Sequence, residues 1–146
     1  MGCRMYCLRV RRSFAAAHYL KNYEGKCANL HGHTWQVEIV LSGEKTDPKS
    51  GMLTDFSVVK QRLDALLPDH ANLNDRYDFN PTAENLAEYF YKNFHIPSNT
   101  TLESVTVWES IDCAAVYSPV EKRNGAAPYQ AYRDSVGGQT IGSSSE

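Results

Sequence analysis

The stretch that most constrains the fold runs from residue 34 to 42, where side chains alternate between two faces. One face is apolar and carries Trp35, Val37, Ile39 and Leu41, and the other is mostly polar and carries Gln36, Glu38, Val40 and Ser42. Because successive side chains of a strand point to opposite faces, this alternation predicts a half-buried β-strand. His31-Gly32-His33 stands directly before it, so two imidazoles leave the chain at the mouth of the strand.

Further stretches predict the other strands of a single sheet. Together the predicted strands cover residues 4–14, 34–42, 102–110 and 112–117. The chain order of strand, strand, helix, helix, strand, strand favours antiparallel hairpins. We therefore expect an α+β protein in which two helices cover one face of a four-stranded antiparallel sheet.

Two amphipathic stretches predict those helices. Asp55 is placed to cap the first, whose apolar residues recur at helical spacing and which ends at Pro68: Phe56, Val59, Leu63, Leu66 and Leu67. The second begins within Asn80–Asn85, with a proline at its start and an acidic residue where the helix dipole favours one. A short polar loop containing Asp69-His70 separates the two helices.

Composition excludes several classes of partner. The chain has 146 residues and a net charge of −2, from 15 basic and 17 acidic side chains, which provides no basic field for nucleic acid. No apolar run approaches the roughly 18 residues of a membrane span. We expect a cytoplasmic protein that acts on a small molecule. Residues 1–118 are predicted to form one domain, and residues 119–146, which lack apolar periodicity, a flexible C-terminal tail.

Three histidines are candidate metal ligands. His31 and His33 share a face of an extended chain, and His18 follows the first predicted strand. Three imidazoles with no fourth cysteine or carboxylate nearby would form a zinc site with an open position, as catalytic zinc sites do. Nickel, copper and iron also accept such ligands. The simpler alternative for His31 and His33 is a pair of exposed histidines in a polar turn.

Other side chains are candidates for acid–base chemistry and for ligand binding. Cys27 lies four residues before His31, so its thiolate could face the same small volume, and His70 beside Asp69 could relay a proton. Glu109 follows the apolar run of the third predicted sheet strand, where a carboxylate is costly to bury unless paired, and it could hold the N–H donors of a ligand. The alternatives are a structural thiol, a histidine that complements a helix dipole, and an exposed edge charge.

Six stretches in this order resemble the family of 6-pyruvoyl-tetrahydropterin and 6-carboxy-tetrahydropterin synthases. They run from residue 4 to about 117: Phe14-Ala15-Ala16-Ala17-His18, Cys27 to His33, Gly51-Met52-Leu53-Thr54-Asp55-Phe56, Asp69-His70 with Leu73-Asn74, Asn80-Pro81-Thr82-Ala83-Glu84-Asn85, and Glu109. The resemblance implies the tunnelling fold, in which the sheets of several subunits join into a barrel. It also implies a homo-oligomer, either a trimer or a dimer of trimers, with active sites at subunit boundaries.

The resemblance also implies roles for individual residues. Zinc would be held at the positions matching His18, His31 and His33. Cys27 would be the catalytic base, with Asp69 and His70 completing the proton relay. Glu109 would anchor the pterin ring through its ring N–H and amino group, and Thr82 would help line the pterin pocket. Lys21, Lys26 and Arg9 are candidates for contacting a triphosphate.

The short Cys-x-x-x-His-Gly-His spacing resembles the bacterial 6-carboxy enzymes of queuosine biosynthesis. The implied reaction is carbon–carbon cleavage of 7,8-dihydroneopterin triphosphate to 6-carboxy-tetrahydropterin, acetaldehyde and triphosphate. The nearest alternative is pyruvoyl-tetrahydropterin synthesis at the same site. Two others are a metal-independent hydrolase that uses Cys27, His70 and Asp69, and a pterin- or metal-binding module without turnover.

Overall fold

The computed structural model describes residues 5–44 and 46–119. The strands are β1 (Tyr6–His18), β2 (His31–Gly43), β3 (Ala71–Asn72), β4 (Thr101–Trp108) and β5 (Ala114–Tyr117). The helices are α1 (Phe56–Leu66), α2 (Leu73–Arg76) and α3 (Ala83–Asn93), and a 3₁₀ turn covers Lys26–Ala28. Apart from Pro119, the predicted tail lies outside the described residues.

The sheet has the order β3-β1-β2-β4-β5, and every pair except β3 with β1 is antiparallel. The α+β class and the four antiparallel strands are confirmed. The prediction of four strands missed β3, a two-residue strand that runs parallel to β1. It forms because the backbone N–H of His70 donates to the carbonyl of Ala15, at 2.6 Å, which draws the predicted loop against the sheet.

The first strand is longer than predicted. The alternation of residues 4–14 weakens at the small side chains of Ala15, Ala16 and Ala17, yet β1 continues to His18. Antiparallel pairing with β2 supplies the hydrogen bonds there, and it places His18 opposite His31. The indole Nε1 of Trp35 also donates to the carbonyl of Ala16, at 3.2 Å. The extra residues of β1 carry a candidate metal ligand into the sheet.

The hydrophobic core lies between one face of the sheet and the helices. The predicted apolar face of β2 is fully buried and packs with Val59 and Leu63 of α1 and with Leu86 and Phe90 of α3. Burial of each such side chain contributes roughly 1.5–3 kcal/mol to stability. Asp55 caps α1 by accepting from the N–H of Ser57, as predicted. None of the helices in the described part of the chain has the length and apolar character needed to span a bilayer.

The opposite face of the sheet carries charged side chains, one of which is buried. Arg9 and Arg11 each donate to one carboxylate oxygen of Glu38, whose side chain is only 7% exposed. The two guanidiniums satisfy a charge that would otherwise be costly to bury. Arg9, a predicted triphosphate contact, therefore lies paired on the face of the sheet that does not carry the histidines.

Candidate functional site

Strand pairing brings the three predicted metal ligands together at one end of the β1–β2 hairpin. His18 pairs directly with His31, and His33 pairs with the small Ala16, two residues along each strand. The ring centroids are 4.6 Å apart for His18 and His31, 5.1 Å for His18 and His33, and 4.8 Å for His31 and His33. Their candidate ligand atoms all lie within 4.8 Å of one another.

The hydrogen bonds of two of these rings determine where their protons lie. Nδ1 of His18 is 2.8 Å from the carbonyl of Pro81, and Nδ1 of His31 is 2.7 Å from the carbonyl of Asn29. A carbonyl oxygen only accepts, so both Nδ1 atoms must carry hydrogen. In the neutral rings both Nε2 atoms then carry lone pairs, and they face each other at 3.1 Å. Two acceptors at this distance repel unless a cation lies against both.

The surroundings of the cluster favour neutral imidazoles. Burial is the main cause that lowers the pKa of both His18 and His33. The edges of both rings meet the fully buried Trp35, at centroid distances of 4.8 and 5.2 Å. Nε2 of His33 is buried and lacks a hydrogen-bond partner. Metal ligation requires the neutral ring, and the carbonyls on Nδ1 are typical of the outer contacts that orient ligating histidines. The group can therefore hold a metal ion.

Glu109 lies beside this cluster. Its carboxylate oxygens are 3.7 Å from Nε2 of His33 and 4.0 Å from Nε2 of His18. The residue follows β4, and its N–H donates to the carbonyl of Cys113 across the β4–β5 turn, at 3.0 Å. The side chain is partly buried, at 32% exposure, and its two oxygens lie near the histidine rings.

Glu109 also lines a cavity of about 340 Å³, together with Leu20, Thr82, Ala83, Glu84 and Cys113. Thr82 contributes the cap of α3, since its hydroxyl oxygen accepts from the N–H of Asn85 at 3.1 Å. Glu84 was not identified from the sequence as a site residue. The signal was its position two residues after Thr82, in the first turn of the same helix. Two carboxylates at one cavity suit a flat ligand that presents several N–H donors.

Cys27 lies in the 3₁₀ turn between the two strands that carry the histidines. It is half-buried, and its carbonyl accepts from the N–H of Leu20 at 2.8 Å. Within residues 5–44 and 46–119, its thiol makes no hydrogen bond. The turn places Cys27 at the same end of the hairpin as the three histidines, and no bond within the described residues joins its side chain to them.

Asp69 and His70 form the predicted pair, directly before the edge strand β3. Oδ2 of Asp69 is 3.0 Å from Nδ1 of His70, and Oδ1 accepts from the N–H of Ala15 at 2.9 Å. The bond from Ala15 is the main cause that lowers the pKa of Asp69. The side chain of His70 is 83% exposed. No hydrogen bond or ion pair in the described part of the chain joins this pair to Cys27 or to the metal cluster.

Comparison with known proteins identifies the fold and the family. A relative from Synechocystis, named 6-carboxy-5,6,7,8-tetrahydropterin synthase, is 36% identical over 120 residues, covering 77% of this chain and 93% of the relative. A dihydroneopterin monophosphate aldolase of Pyrococcus furiosus is 38% identical over 103 residues, covering 68% of this chain and 85% of the relative. The solved 6-pyruvoyl tetrahydropterin synthase of Caenorhabditis elegans superposes with a TM-score of 0.69 at 30% identity, over 80% of this chain and 96% of that one.

These likenesses confirm the expected fold of the single chain. The family model described as 6-pyruvoyl tetrahydropterin synthase matches residues 7–120, which include every candidate site residue discussed above. The relatives act on pterins by name, and the match extends through the sheet, the helices and the histidine cluster. The chain therefore belongs to the 6-pyruvoyl tetrahydropterin synthase family.

Proposed function

We propose that the chain is a zinc-dependent carbon–carbon lyase, a 6-carboxy-5,6,7,8-tetrahydropterin synthase acting in the cytoplasm on the queuosine route. The observation that carries the proposal is the meeting of two unpaired Nε2 atoms, 3.1 Å apart, with the Glu109 carboxylate beside them. Candidate metal ligands and a carboxylate suited to pterin N–H groups thus lie side by side. The relative from Synechocystis supports the choice of the 6-carboxy product.

His18, His31 and His33 would hold the zinc ion. Bound there, zinc would supply Lewis-acid polarisation of the oxygens on the substrate side chain. The carbonyls of Pro81 and Asn29 accept from Nδ1 of His18 and His31 and would thereby orient both rings as ligands.

Glu109 would orient the pterin by accepting hydrogen bonds from the ring N–H and the amino group. Such bonds to an ionised carboxylate contribute about 1.5–3 kcal/mol each. Thr82 would line the same cavity, and its hydroxyl also fixes the start of α3. This arrangement would place the side chain of 7,8-dihydroneopterin triphosphate toward the histidines.

Cys27 would take protons from the carbon skeleton of that side chain, with Asp69 and His70 relaying them. The net reaction consumes water and yields 6-carboxy-tetrahydropterin, acetaldehyde and triphosphate. Asp69 would orient His70 by accepting from its Nδ1–H, which leaves Nε2 free to exchange a proton.

The proposal includes a homo-oligomer, a trimer or a dimer of trimers, whose sites lie between copies. Two features support it. Strand β3 covers only Ala16 and Ala17 of β1, so most of the outer edge of that strand has no partner among the described residues. The second feature is the exposure of the Asp69–His70 pair, which would transfer protons in the site of a neighbouring copy. Co-expression of Cys27→Ala with His70→Ala tests this, since mixed oligomers should regain up to about a quarter of the wild-type sites.

Product analysis tests the reaction. Zinc-loaded protein is incubated with 7,8-dihydroneopterin triphosphate, and acetaldehyde and pterin products are followed. Acetaldehyde with 6-carboxy-tetrahydropterin supports the proposal, whereas triphosphate release with a pyruvoyl product supports the alternative of 6-pyruvoyl-tetrahydropterin synthesis. Unchanged substrate would instead favour a binding module, and activity that survives chelation would favour the hydrolase.

The aldolase relative provides a second candidate function. Its identity of 38% slightly exceeds that of the Synechocystis relative, and its name describes cleavage of a dihydroneopterin monophosphate. Parallel assays with the monophosphate and the triphosphate separate the two. Faster turnover of the monophosphate would assign the aldolase reaction to the chain.

A further inference from the structure

We propose that Asn74 and Asn80 are positioning residues, which clamp the segment Tyr19–Lys21 and through it hold Cys27 in place. The inference rests on the proposed function in one respect, the role of Cys27 as the acid–base thiol. Both asparagines stand in stretches that carry the family resemblance, but the sequence assigned a role to neither. Both lie more than 40 residues from Cys27 in the chain.

Each asparagine side chain makes the two hydrogen bonds to one residue of the segment that the backbone of a neighbouring strand would otherwise make. Oδ1 of Asn74 accepts from the N–H of Tyr19 at 2.8 Å, and its Nδ2 donates to the carbonyl of Tyr19 at 2.9 Å. Asn80 bonds Lys21 in the same way, at 2.9 and 3.1 Å. Tyr19 and Lys21 are two residues apart, so both present their backbone groups to the same edge of an extended segment. The two side-chain amides thus continue the hydrogen bonding of β1 beyond its last residue, His18.

The opposite edge of the same segment holds Cys27. Leu20 lies between the two clamped residues, and its N–H donates to the carbonyl of Cys27 at 2.8 Å. The thiol itself makes no hydrogen bond with any residue that the structure describes. The position of the cysteine therefore depends on its backbone, and its backbone is held through Leu20.

The amides are not used for the commoner role of asparagine near helices. Asn and Asp often cap helix N-termini. Here the cap of α2 is Asn72 and the cap of α3 is Thr82, so Asn74 and Asn80 contribute to neither. Both are held in turn, because the N–H of Asn74 donates to Asn72 and Nδ2 of Asn85 donates to the carbonyl of Asn80.

The clamp also relates Cys27 to the metal cluster. The residue after Asn80 is Pro81, whose carbonyl accepts from Nδ1 of His18. One loop therefore orients a metal-binding ring and, through Lys21, Leu20 and their bond to Cys27, the turn that carries the thiol. Catalysis by positioned groups is sensitive to shifts of about 1 Å, which can cost about 100-fold in rate.

The test uses Asn74→Asp and Asn80→Asp, which keep the shape of the side chain but replace the N–H donor with an oxygen that repels the carbonyl. Three properties are measured. They are kcat and KM for product formation, the zinc content of the protein, and the rate at which Cys27 is alkylated, followed by peptide mass mapping. Cys7 and Cys113, which are exposed, serve as internal references. The matched control is Asn93→Asp, because Asn93 also donates to a backbone carbonyl, that of Tyr89, on the exposed side of α3.

We expect kcat to fall about 10- to 100-fold with much smaller changes in KM. Alkylation of Cys27 should become at least about threefold faster as its turn opens, with Cys7, Cys113 and the Asn93→Asp control unchanged. A purely structural role would lower the melting temperature without changing the reactivity of Cys27 in the folded state. Unchanged alkylation and unchanged kcat in the folded variants would overturn the proposal.

Hydrogen exchange in the wild type makes the test independent of whether the variants fold. The amides of Tyr19 and Lys21 should exchange much more slowly than those of residues 22–25, and rapid exchange would refute the clamp. Alkylation and exchange require no turnover. A chain that lacks the proposed reaction but protects Cys27 would therefore refute only the function, and a chain with the reaction but an unprotected segment would refute only the clamp.

Discussion

The histidine cluster and the Asp69–His70 pair differ in how much of their surroundings comes from the chain itself. The side chain of His18 is 1% exposed and lies among two other imidazoles and an indole, whereas that of His70 is 83% exposed and pairs with the Asp69 carboxylate. The first group is assembled by the register of β1 and β2. The second is attached to the edge of the sheet and faces outward.

The difference indicates which half of the site is preorganised. A one-residue slip of β2 would move His31 and His33 to the other face of the sheet, together with the apolar residues that follow them. The hydrophobic core therefore specifies the histidine cluster. Among the residues that the structure describes, the side chain of His70 is bonded to Asp69, and under the proposed function its partner is substrate or a second copy of the chain.

His31→Ala should have the largest effect, because it removes one of the two facing Nε2 atoms. We expect loss of bound zinc and a fall in kcat of about 1,000-fold or more, the equivalent of several kcal/mol of lost charge stabilisation. Metal analysis and product assays measure both. The control is His95→Ala, since His95 is exposed and lies outside the cluster. Retention of zinc by His31→Ala would show that the cluster is not the metal site.

His70→Ala should lower kcat about 100- to 10,000-fold, the range of general acid–base catalysis, while zinc content stays at the wild-type level. Zinc content should stay unchanged because no hydrogen bond or ion pair in the described part of the chain joins His70 to the three histidines. Steady-state kinetics and metal analysis on the same preparation test it. Zinc loss in this variant would mean that the two halves are one unit.

Glu109→Gln should act mainly on substrate binding. Replacing the carboxylate weakens its hydrogen bonds to pterin N–H groups, and we expect KM to rise about 10- to 100-fold. Glu88→Gln is the control, because Glu88 pairs with Lys92 on the surface of α3. If KM is unchanged and zinc is lost instead, Glu109 belongs to the metal half of the site.

Acidification should destabilise the zinc-free protein modestly. Burial lowers the pKa of His18 and His33 below the usual 6.5, so between the folded-state pKa and 6.5 the unfolded chain binds more protons. The free energy of unfolding then rises with pH through that interval and falls as the pH is lowered from 7.5 to 5. Denaturant unfolding at a series of pH values gives the free energy of unfolding as a function of pH. The slope of this free energy against pH should be shallower for His33→Asn than for wild type. An equal slope in the variant would contradict the assignment.

Local pattern was sufficient to predict much of the fold. The alternation of residues 34–42 predicted strand β2, and the position of Asp55 before an amphipathic stretch predicted the cap of α1. Strand β3 could not be predicted, because two residues carry no pattern and the pairing depends on two distant bonds, in which Ala15 donates its N–H to Asp69 and accepts at its carbonyl from the N–H of His70.

The candidate site divides in the same way. His31 and His33 are adjacent in sequence, so their common face follows from strand geometry alone. That His18 joins them depends on the register of β1, which the weak pattern of its three alanines concealed. Glu84, Asn74 and Asn80 stand in the stretches that carry the resemblance, but their roles could not be predicted, because those roles arise from contacts between distant segments that no local spacing reveals.

The division of the site into a metal half and a proton-transfer half is tested most directly by Cys27→Ala, with Cys7→Ala as the control. Zinc stoichiometry and kcat are measured on the same preparations. We expect both variants to bind one zinc per chain, as wild type should, while only Cys27→Ala loses kcat, by about 100- to 10,000-fold. Loss of zinc from Cys27→Ala, or full kcat without the thiol, would contradict the division.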